Sequence, residues 1–172
     1  MNFPLQSPHA EHAAALAYKT LPVDTQQLVV LVQAMRSAGV KYRIAKNDKE
    51  LAAGIGKANF STPIPHIKAI DCSGFARYAL FKASSGRVVM PDGSCHQNEW
   101  CRHQPLAPVN YQKTAGLMDG HLRITFFQGH PGHVWMTLNG KTIESHGHLG
   151  PDQRDWHTPT LFARASVCYQ VT

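Results

Sequence analysis

The segment HVWMTLNGKTIESH, residues 133–146, constrains the fold of this chain more than any other part of the sequence. Asn139-Gly140 is the strongest short-range signal for a tight turn between two strands, and the sequence around it follows a period of two. A two-residue turn pairs Leu138 with Lys141 and so sets the register on both sides. The sequence therefore predicts an antiparallel β-hairpin here.

Four functional side chains share one face of this hairpin. In the register just given, His133 lies opposite His146. Trp135 lies opposite Glu144, and all four point the same way because side chains alternate along a strand. A histidine beside an acceptor on the next strand is the base–orienter pair of cysteine hydrolases, and either Glu144 or His146 can orient His133. The alternative is an ordinary surface or core histidine, one of 11 in the chain.

Helical patterns precede the hairpin, and strand patterns surround it. Asp24 or Thr25 can cap a first helix that ends at Gly39, and a second helix ends at Gly86. Helices first and antiparallel strands after them indicate the α+β class. The predicted elements are helices over 25–38 and 72–84, an irregular stretch over 89–110, and strands over 121–127, 133–138, 141–146 and 166–171.

The length of 172 residues predicts one domain, over residues 24–172, behind an N-terminal arm or linker over residues 1–23. No apolar run approaches the roughly 18 residues that a membrane span needs, so we expect no membrane span. The first residues lack a basic start followed by an apolar stretch, and we therefore expect no signal peptide.

The net charge of +6 and the pI near 9.3 suit an anionic partner such as nucleic acid, an acidic lipid surface or a cell wall. The Lys and Arg residues are scattered, and neither a zinc-finger nor an RNA-recognition signature accompanies them. We therefore expect no nucleic-acid partner.

Cys72 stands in the segment AIDCSGFARYAL, residues 69–80, at the predicted start of the second helix. Unpaired backbone N–H groups and the positive end of the helix dipole meet there, which favours the nucleophilic thiolate. The same N–H groups can donate to an oxyanion, and small Ser73 and Gly74 leave room for a substrate. The alternative is a cysteine that serves only as a small buried apolar residue.

The remaining cysteines leave two questions open. Cys95 and Cys101 can close a small disulfide loop or stay reduced. Two sets of side chains can be imagined around zinc, but neither has a standard ligand spacing, so we expect no metal and no cofactor. These sets are His130, His133, His146 and His148, and Cys95, His96, Cys101 and His103.

The string DCSGF at 71–75, followed roughly sixty residues after Cys72 by GHVWMTLNGKTIESHG, resembles the NlpC/P60 family of papain-like cysteine peptidases. The helix before GVKY at 39–42 and the strand in MDGHLRITFF at 118–127 are similar to segments of that family. The resemblance covers about residues 27–147. It implies a papain-like α+β fold in which N-terminal helices, with the nucleophilic cysteine at a helix N-terminus, pack on an antiparallel sheet.

The resemblance also implies catalytic roles. Cys72 is expected to be the nucleophile and His133 the general base, without a cofactor. Glu144 aligns best with the family's third polar residue, whereas the hairpin register favours His146, so both stay candidates.

Four further residues are expected to contact substrate. Tyr42 matches a tyrosine that lines the family's site, and Asp71 and Ser73 flank the nucleophile. Trp135 occupies a position often held by glycine in the family. Together with the long stretch over 89–110, this departure affects the expected specificity more than the chemistry.

The activity implied by the resemblance is hydrolysis of an amide bond in peptidoglycan stem peptides, between D-glutamate and diaminopimelate. The segment ESHGHLGPDQRDW, residues 144–156, is similar to phage- and secretion-associated wall hydrolases. We therefore expect an antibacterial effector that is made in the cytoplasm and delivered to a periplasm or cell wall. Its expected partners are a phage or secretion carrier and a cognate immunity protein. The alternatives are an acyltransferase or amidase with another substrate, and a non-catalytic wall-binding module.

Overall fold

The protein is described by a computed structural model that covers residues 18–53, 55–130, 132–147, 149–157, 164–165 and 167–172. Residues 1–17 of the predicted arm lie outside this part. The helices are α1 (Thr25–Ser37), α2 (Asp48–Ala52), α3 (Cys72–Ala83), α4 (Ser94–His103) and α5 (Tyr111–Thr114), with a 3₁₀ turn at Ile64–His66. The strands are β1 (Ile55–Gly56), β2 (Ala69–Ile70), β3 (Ala107–Pro108), β4 (Arg123–Phe127), β5 (His133–Leu138), β6 (Lys141–His146), β7 (Gly150–Asp152) and β8 (Val167–Gln170).

The main sheet has six antiparallel strands in the order β3-β8-β4-β5-β6-β7. The predicted hairpin is confirmed as β5 and β6, with Leu138 opposite Lys141. Asn139 and Gly140 both have positive φ, 47° and 68°, as a type I′ turn requires. Helices packed on an antiparallel sheet confirm the α+β class.

Two helices cover one face of the sheet. Asp24 caps α1 by accepting hydrogen bonds from the backbone N–H groups of Gln26 and Gln27 at 2.9 and 3.0 Å. Helix α1 packs against α3, and α3 packs against β5 and β6. Their shared core is fully buried and includes Leu28, Val32 and Met35 of α1, Phe75, Tyr78 and Leu80 of α3, and Val134, Met136 and Ile143 of the sheet.

The prediction of an irregular stretch over 89–110 was wrong for its middle part, which forms α4. The buried face of α4 consists of Gln97, Asn98 and Cys101, so the helix lacks the apolar periodicity that would have revealed it. Gln97 is completely buried, and its side-chain N–H group donates to the carbonyls of Ser73 at 2.8 Å and Pro91 at 3.0 Å. This amide joins α4 to the start of α3.

The end of the predicted arm that the structure describes runs beside the sheet. The N–H group of Lys19 donates to the carbonyl of Pro105, and that of Leu21 donates to the carbonyl of Val171, both at 2.7 Å. The boundary between an arm and a domain at residue 24 stays a prediction. Within the described residues, no helix combines the length and apolar character needed to cross a membrane.

Candidate active site

Cys72 is the first residue of α3, as predicted, and it is 7% exposed. Asp71 caps this helix, because its carboxylate accepts hydrogen bonds from the Gly74 N–H group at 2.6 Å and the Ser73 hydroxyl at 2.9 Å. The Asp71 N–H group in turn donates to the Gly56 carbonyl at 2.8 Å. Burial raises the pKa of Asp71, against the lowering effect of these hydrogen bonds. The cap therefore fixes the position of Cys72 relative to β1.

Two backbone N–H groups at the nucleophile are available to a ligand. The N–H groups of Gly74 and Phe75 donate to Asp71. Those of Cys72 and Ser73 have no acceptor within the part of the chain that the structure describes. They belong to the positive end of a 12-residue helix, where a developing negative charge is stabilised.

His133, the first residue of β5, connects Cys72 to Glu144. Its Nε2 lies 3.0 Å from Oε2 of Glu144, and Cys72 lies close enough to the imidazole to raise its pKa. Burial opposes the imidazolium form, but the hydrogen bonds and charges of Cys72 and Glu144 outweigh it and raise the pKa of His133 to about 9. The ring therefore holds a proton more strongly than the imidazole of a free histidine does.

Glu144 is 1% exposed, yet both of its carboxylate oxygens are bonded. Oε2 faces His133, and Oε1 accepts a hydrogen bond from Nη2 of Arg154 at 2.7 Å. Burial tends to raise the pKa of Glu144, but these two hydrogen-bonding partners and their charges lower it to about 2. Glu144 is therefore an anion throughout the physiological pH range.

The structure separates the two candidate orienting residues. His146 does not lie in the paired register opposite His133, because β5 and β6 pair only over 136–138 and 141–143, and β6 then pairs with β7. Nε2 of His146 lies 4.0 Å from Oδ2 of Asp152 and, within the described chain, has no hydrogen-bonding partner. Burial lowers the pKa of His146. Glu144, not His146, contacts His133.

A cleft of about 250 Å³ opens beside the sulfur. Tyr42, Asp71 and Ser73, all predicted from the sequence, line it. Burial and the charges of Cys72 and Asp71 raise the pKa of Tyr42 to about 12, so its phenol remains a donor. The other lining residues are Ile44, Ala45, Leu51, Lys57, Gly93, Ser94 and Gly132. Sequence reasoning did not single out these residues, because no motif marks the start of α4 or the segment around β1, and Gly132, the first residue of the GHVWMTLNGKTIESHG string, was given no role.

Trp135, which was expected to contact substrate, does not line this cleft. Trp135 is 1% exposed and is absent from the cleft lining. Its ring stacks beside His133, with centroids 5.8 Å apart and an interplanar angle of 27°. Its indole N–H group donates to the Tyr111 hydroxyl at 3.1 Å, and that hydroxyl donates to the Trp156 carbonyl at 2.9 Å. The indole ring of Trp135 therefore packs beside the imidazole of His133. The hydrogen bond to Tyr111 satisfies its buried N–H group.

Within the described residues, no group of three or more His, Cys, Asp or Glu side chains is arranged to hold a metal ion. His148, a member of one imagined zinc set, lies outside those residues. All four cysteines are free thiols. Cys95 is exposed and Cys101 is buried, and burial raises the pKa of Cys101 to about 12.

Comparison with known proteins assigns no family to the chain. A scan against protein-family models found no match, and a search of curated proteins found no significant match. A functional proposal therefore rests on the geometry of the site and on the residues that resemble the NlpC/P60 motifs.

Proposed function

We propose that this protein is a papain-like cysteine peptidase of the NlpC/P60 type that hydrolyses an amide bond in peptidoglycan stem peptides. The bond favoured by the resemblance joins D-glutamate to diaminopimelate. One observation carries the proposal: the imidazole of His133 interacts with Cys72, which lines an open cleft, and lies 3.0 Å from the carboxylate of Glu144. This is the nucleophile, base and orienting-group arrangement of cysteine hydrolases.

The first chemical step is attack by Cys72. His133 accepts the thiol proton of Cys72, and the sulfur forms a C–S bond to the substrate carbonyl carbon while the carbonyl π electrons move to oxygen. The unpaired N–H groups of Cys72 and Ser73 stabilise this oxyanion. The phenol of Tyr42, on the cleft wall, supplies a further donor.

The second step returns the proton. His133 donates it to the leaving amine nitrogen as the C–N bond breaks, which leaves an acyl-enzyme and a neutral imidazole. The same imidazole then accepts a proton from a water molecule that attacks the thioester, and Cys72 leaves as thiolate. Glu144 stabilises each imidazolium state and keeps the ring in one orientation.

The activity should fall on the alkaline side near pH 9. Because the pKa of His133 is raised to about 9, the imidazolium that protonates the leaving amine is present below that pH and is lost above it. We therefore expect the rate constant kcat/KM for a soluble stem peptide to decrease with a single basic limb near pH 9. A pH–rate profile from about pH 5 to 10 measures this limb. A rate that still rises beyond pH 9 would contradict the assigned role of His133.

The proposal is tested by mass spectrometry of purified peptidoglycan incubated with the protein. Wild type and Cys95→Ser, which changes an exposed cysteine on α4, should release the same new peptides, whereas Cys72→Ala should release none. The fragment masses identify the bond. Intact peptidoglycan after incubation with folded, reduced wild type would refute the wall substrate. Cleavage by Cys72→Ala would refute the mechanism.

Delivery to a periplasm or cell wall by a phage or secretion carrier, with an immunity protein in the producing cell, belongs to the same proposal. The net charge of +6 supports it, because wall polymers are often acidic. A cleavable export signal encoded upstream in the full gene would remove the need for a carrier.

A further inference from the structure

We infer that Arg154 is a positioning residue for this reaction: it holds the buried carboxylate of Glu144 ionised and directed at His133. Its catalytic meaning rests on the proposed function, but the contact itself can be tested without any substrate. Arg154 lies in the segment ESHGHLGPDQRDW, residues 144–156, but nothing in the sequence singled it out as a site residue.

Arg154 contacts the carboxylate oxygen of Glu144 that His133 does not use. Glu144 is 1% exposed, so an unbonded oxygen would lose its hydration without compensation. Oε2 is used by His133 at 3.0 Å, and Nη2 of Arg154 supplies the bond to Oε1 at 2.7 Å. With one partner on each oxygen, the carboxylate has little freedom to rotate away from the imidazole.

The backbone around Arg154 is fastened to the catalytic hairpin. The Arg154 carbonyl accepts a hydrogen bond from the N–H group of Thr142 at 2.7 Å, and its own N–H group donates to the Thr142 hydroxyl at 3.2 Å. The next residue, Asp155, bridges to Lys141, and the Trp156 N–H group donates to the Gly140 carbonyl at 3.0 Å. Residues 154–156 thus run along β6, and the arginine side chain reaches Glu144 on the same strand.

Charge gives Arg154 a role during turnover. His133 is a positive neighbour of Glu144 only while it holds its proton, whereas the guanidinium of Arg154 is permanently charged. When His133 passes its proton to the leaving amine, Arg154 remains as the counter-ion of the buried carboxylate. Glu144 therefore does not become an unpaired buried anion that competes for that proton.

The other ionisable groups around Glu144 cannot take this role. Tyr111 from α5 is a neutral phenol whose pKa is raised to about 12 by burial, and Asp152 from β7 is acidic and pairs with Arg36. His146 from β6 is kept neutral, because burial lowers its pKa. Cys72 from α3 lies beyond the imidazole. Within the described chain, Arg154 is thus the only permanent cation bonded to Glu144.

The substrate-free test follows the imidazole nitrogens of His133 by NMR between about pH 4 and 7. In wild type their chemical shifts should show no inflection from protonation of Glu144, because its pKa is lowered to about 2. In Arg154→Gln the buried carboxylate should take up a proton within that range and give a new inflection, because burial raises its pKa and one counter-charge is gone. Lys141→Gln removes the neighbouring ion pair to Asp155 and should behave like wild type.

If the His133 nitrogen shifts of folded Arg154→Gln lack the new inflection, the inference is overturned, and the proposed hydrolase activity is unaffected. If Arg154→Gln does not fold, the double variant Glu144→Gln/Arg154→Gln should fold, because it leaves no unpaired buried charge. Failure of both variants to fold would assign Arg154 a purely structural role and would also overturn the inference.

Activity supplies the second readout. With the wall substrate, Arg154→Gln should lower kcat by about tenfold to a hundredfold, the range seen when the partners that orient metal-binding histidines are removed, and should leave KM nearly unchanged. Arg154→Lys keeps the charge and should recover part of kcat. A loss confined to KM would contradict a positioning role. If wild type shows no wall hydrolysis, the NMR titration still decides whether Arg154 controls Glu144.

Discussion

Replacing His133 with glutamine should lower kcat/KM for amide hydrolysis by about 10³- to 10⁶-fold, the range seen when an acid–base residue is removed from a hydrolase. Glutamine can still contact Glu144, but it cannot accept the thiol proton or donate one to the leaving amine. The thiolate of Cys72 also loses the imidazolium that stabilises it. The loss should therefore appear in kcat, with little change in KM.

The measurement pairs hydrolysis of a soluble stem peptide with alkylation of Cys72 by iodoacetamide at pH 7. Both rates should fall in His133→Gln, because both depend on the thiolate. His103→Gln is the matched control, since His103 is exposed on α4 and contacts Glu99, far along the chain from the nucleophile. A His133→Gln variant that kept more than about a tenth of the wild-type rate would remove His133 from the mechanism.

Replacing Gly74 with alanine should destabilise the fold, although alanine is the better helix former. Propensity alone predicts a gain of up to about 1 kcal/mol in the free energy of unfolding. A Cβ at this position would lie 2.5 Å from the Gly56 carbonyl oxygen, a backbone atom that cannot move aside without shifting β1. Overpacking of this kind costs about 1–3 kcal/mol, so we expect a net loss.

Urea unfolding of wild type and Gly74→Ala tests this prediction through the sign of the change in the free energy of unfolding. Destabilisation, together with reduced peptide hydrolysis, is expected because the Gly74 N–H group is bonded to Asp71 and any shift of the first turn displaces Cys72. Stabilisation with full activity would mean that the close packing of α3 against β1 is not needed. The glycine of the DCSGF string would then have no structural explanation.

The elements predicted well are those with local signals. The Asn139-Gly140 turn specifies its own hairpin register, and Asp71 caps a helix in which Cys72 occupies the first turn. The side chains of His133 and Glu144 meet as the alternation of β5 and β6 implied. Each of these inferences needed only residues close together in the chain.

The parts that sequence reasoning missed depend on contacts between distant segments. Whether Glu144 or His146 contacts His133 depends on the residue at which β6 stops pairing with β5 and starts pairing with β7. The hairpin sequence does not show where that change occurs. Helix α4 buries the amide side chains of Gln97 and Asn98, so the sequence shows no apolar stripe there. Arg154 reaches Glu144 through an irregular segment, and no motif marks a lone arginine.

Under the proposed function, the side chain of Gln97 has a consequence for substrate selection. Its single amide group donates to the carbonyl of Ser73, next to Cys72, and to the carbonyl of Pro91, before α4, so the first turn of α3 is braced against the segment that leads into α4. A cleft braced in this way is preformed, and a peptide that binds in it loses little binding free energy to rearrangement of the protein. New specificities can then evolve on the outer surface of α4 while the reacting atoms keep their spacing.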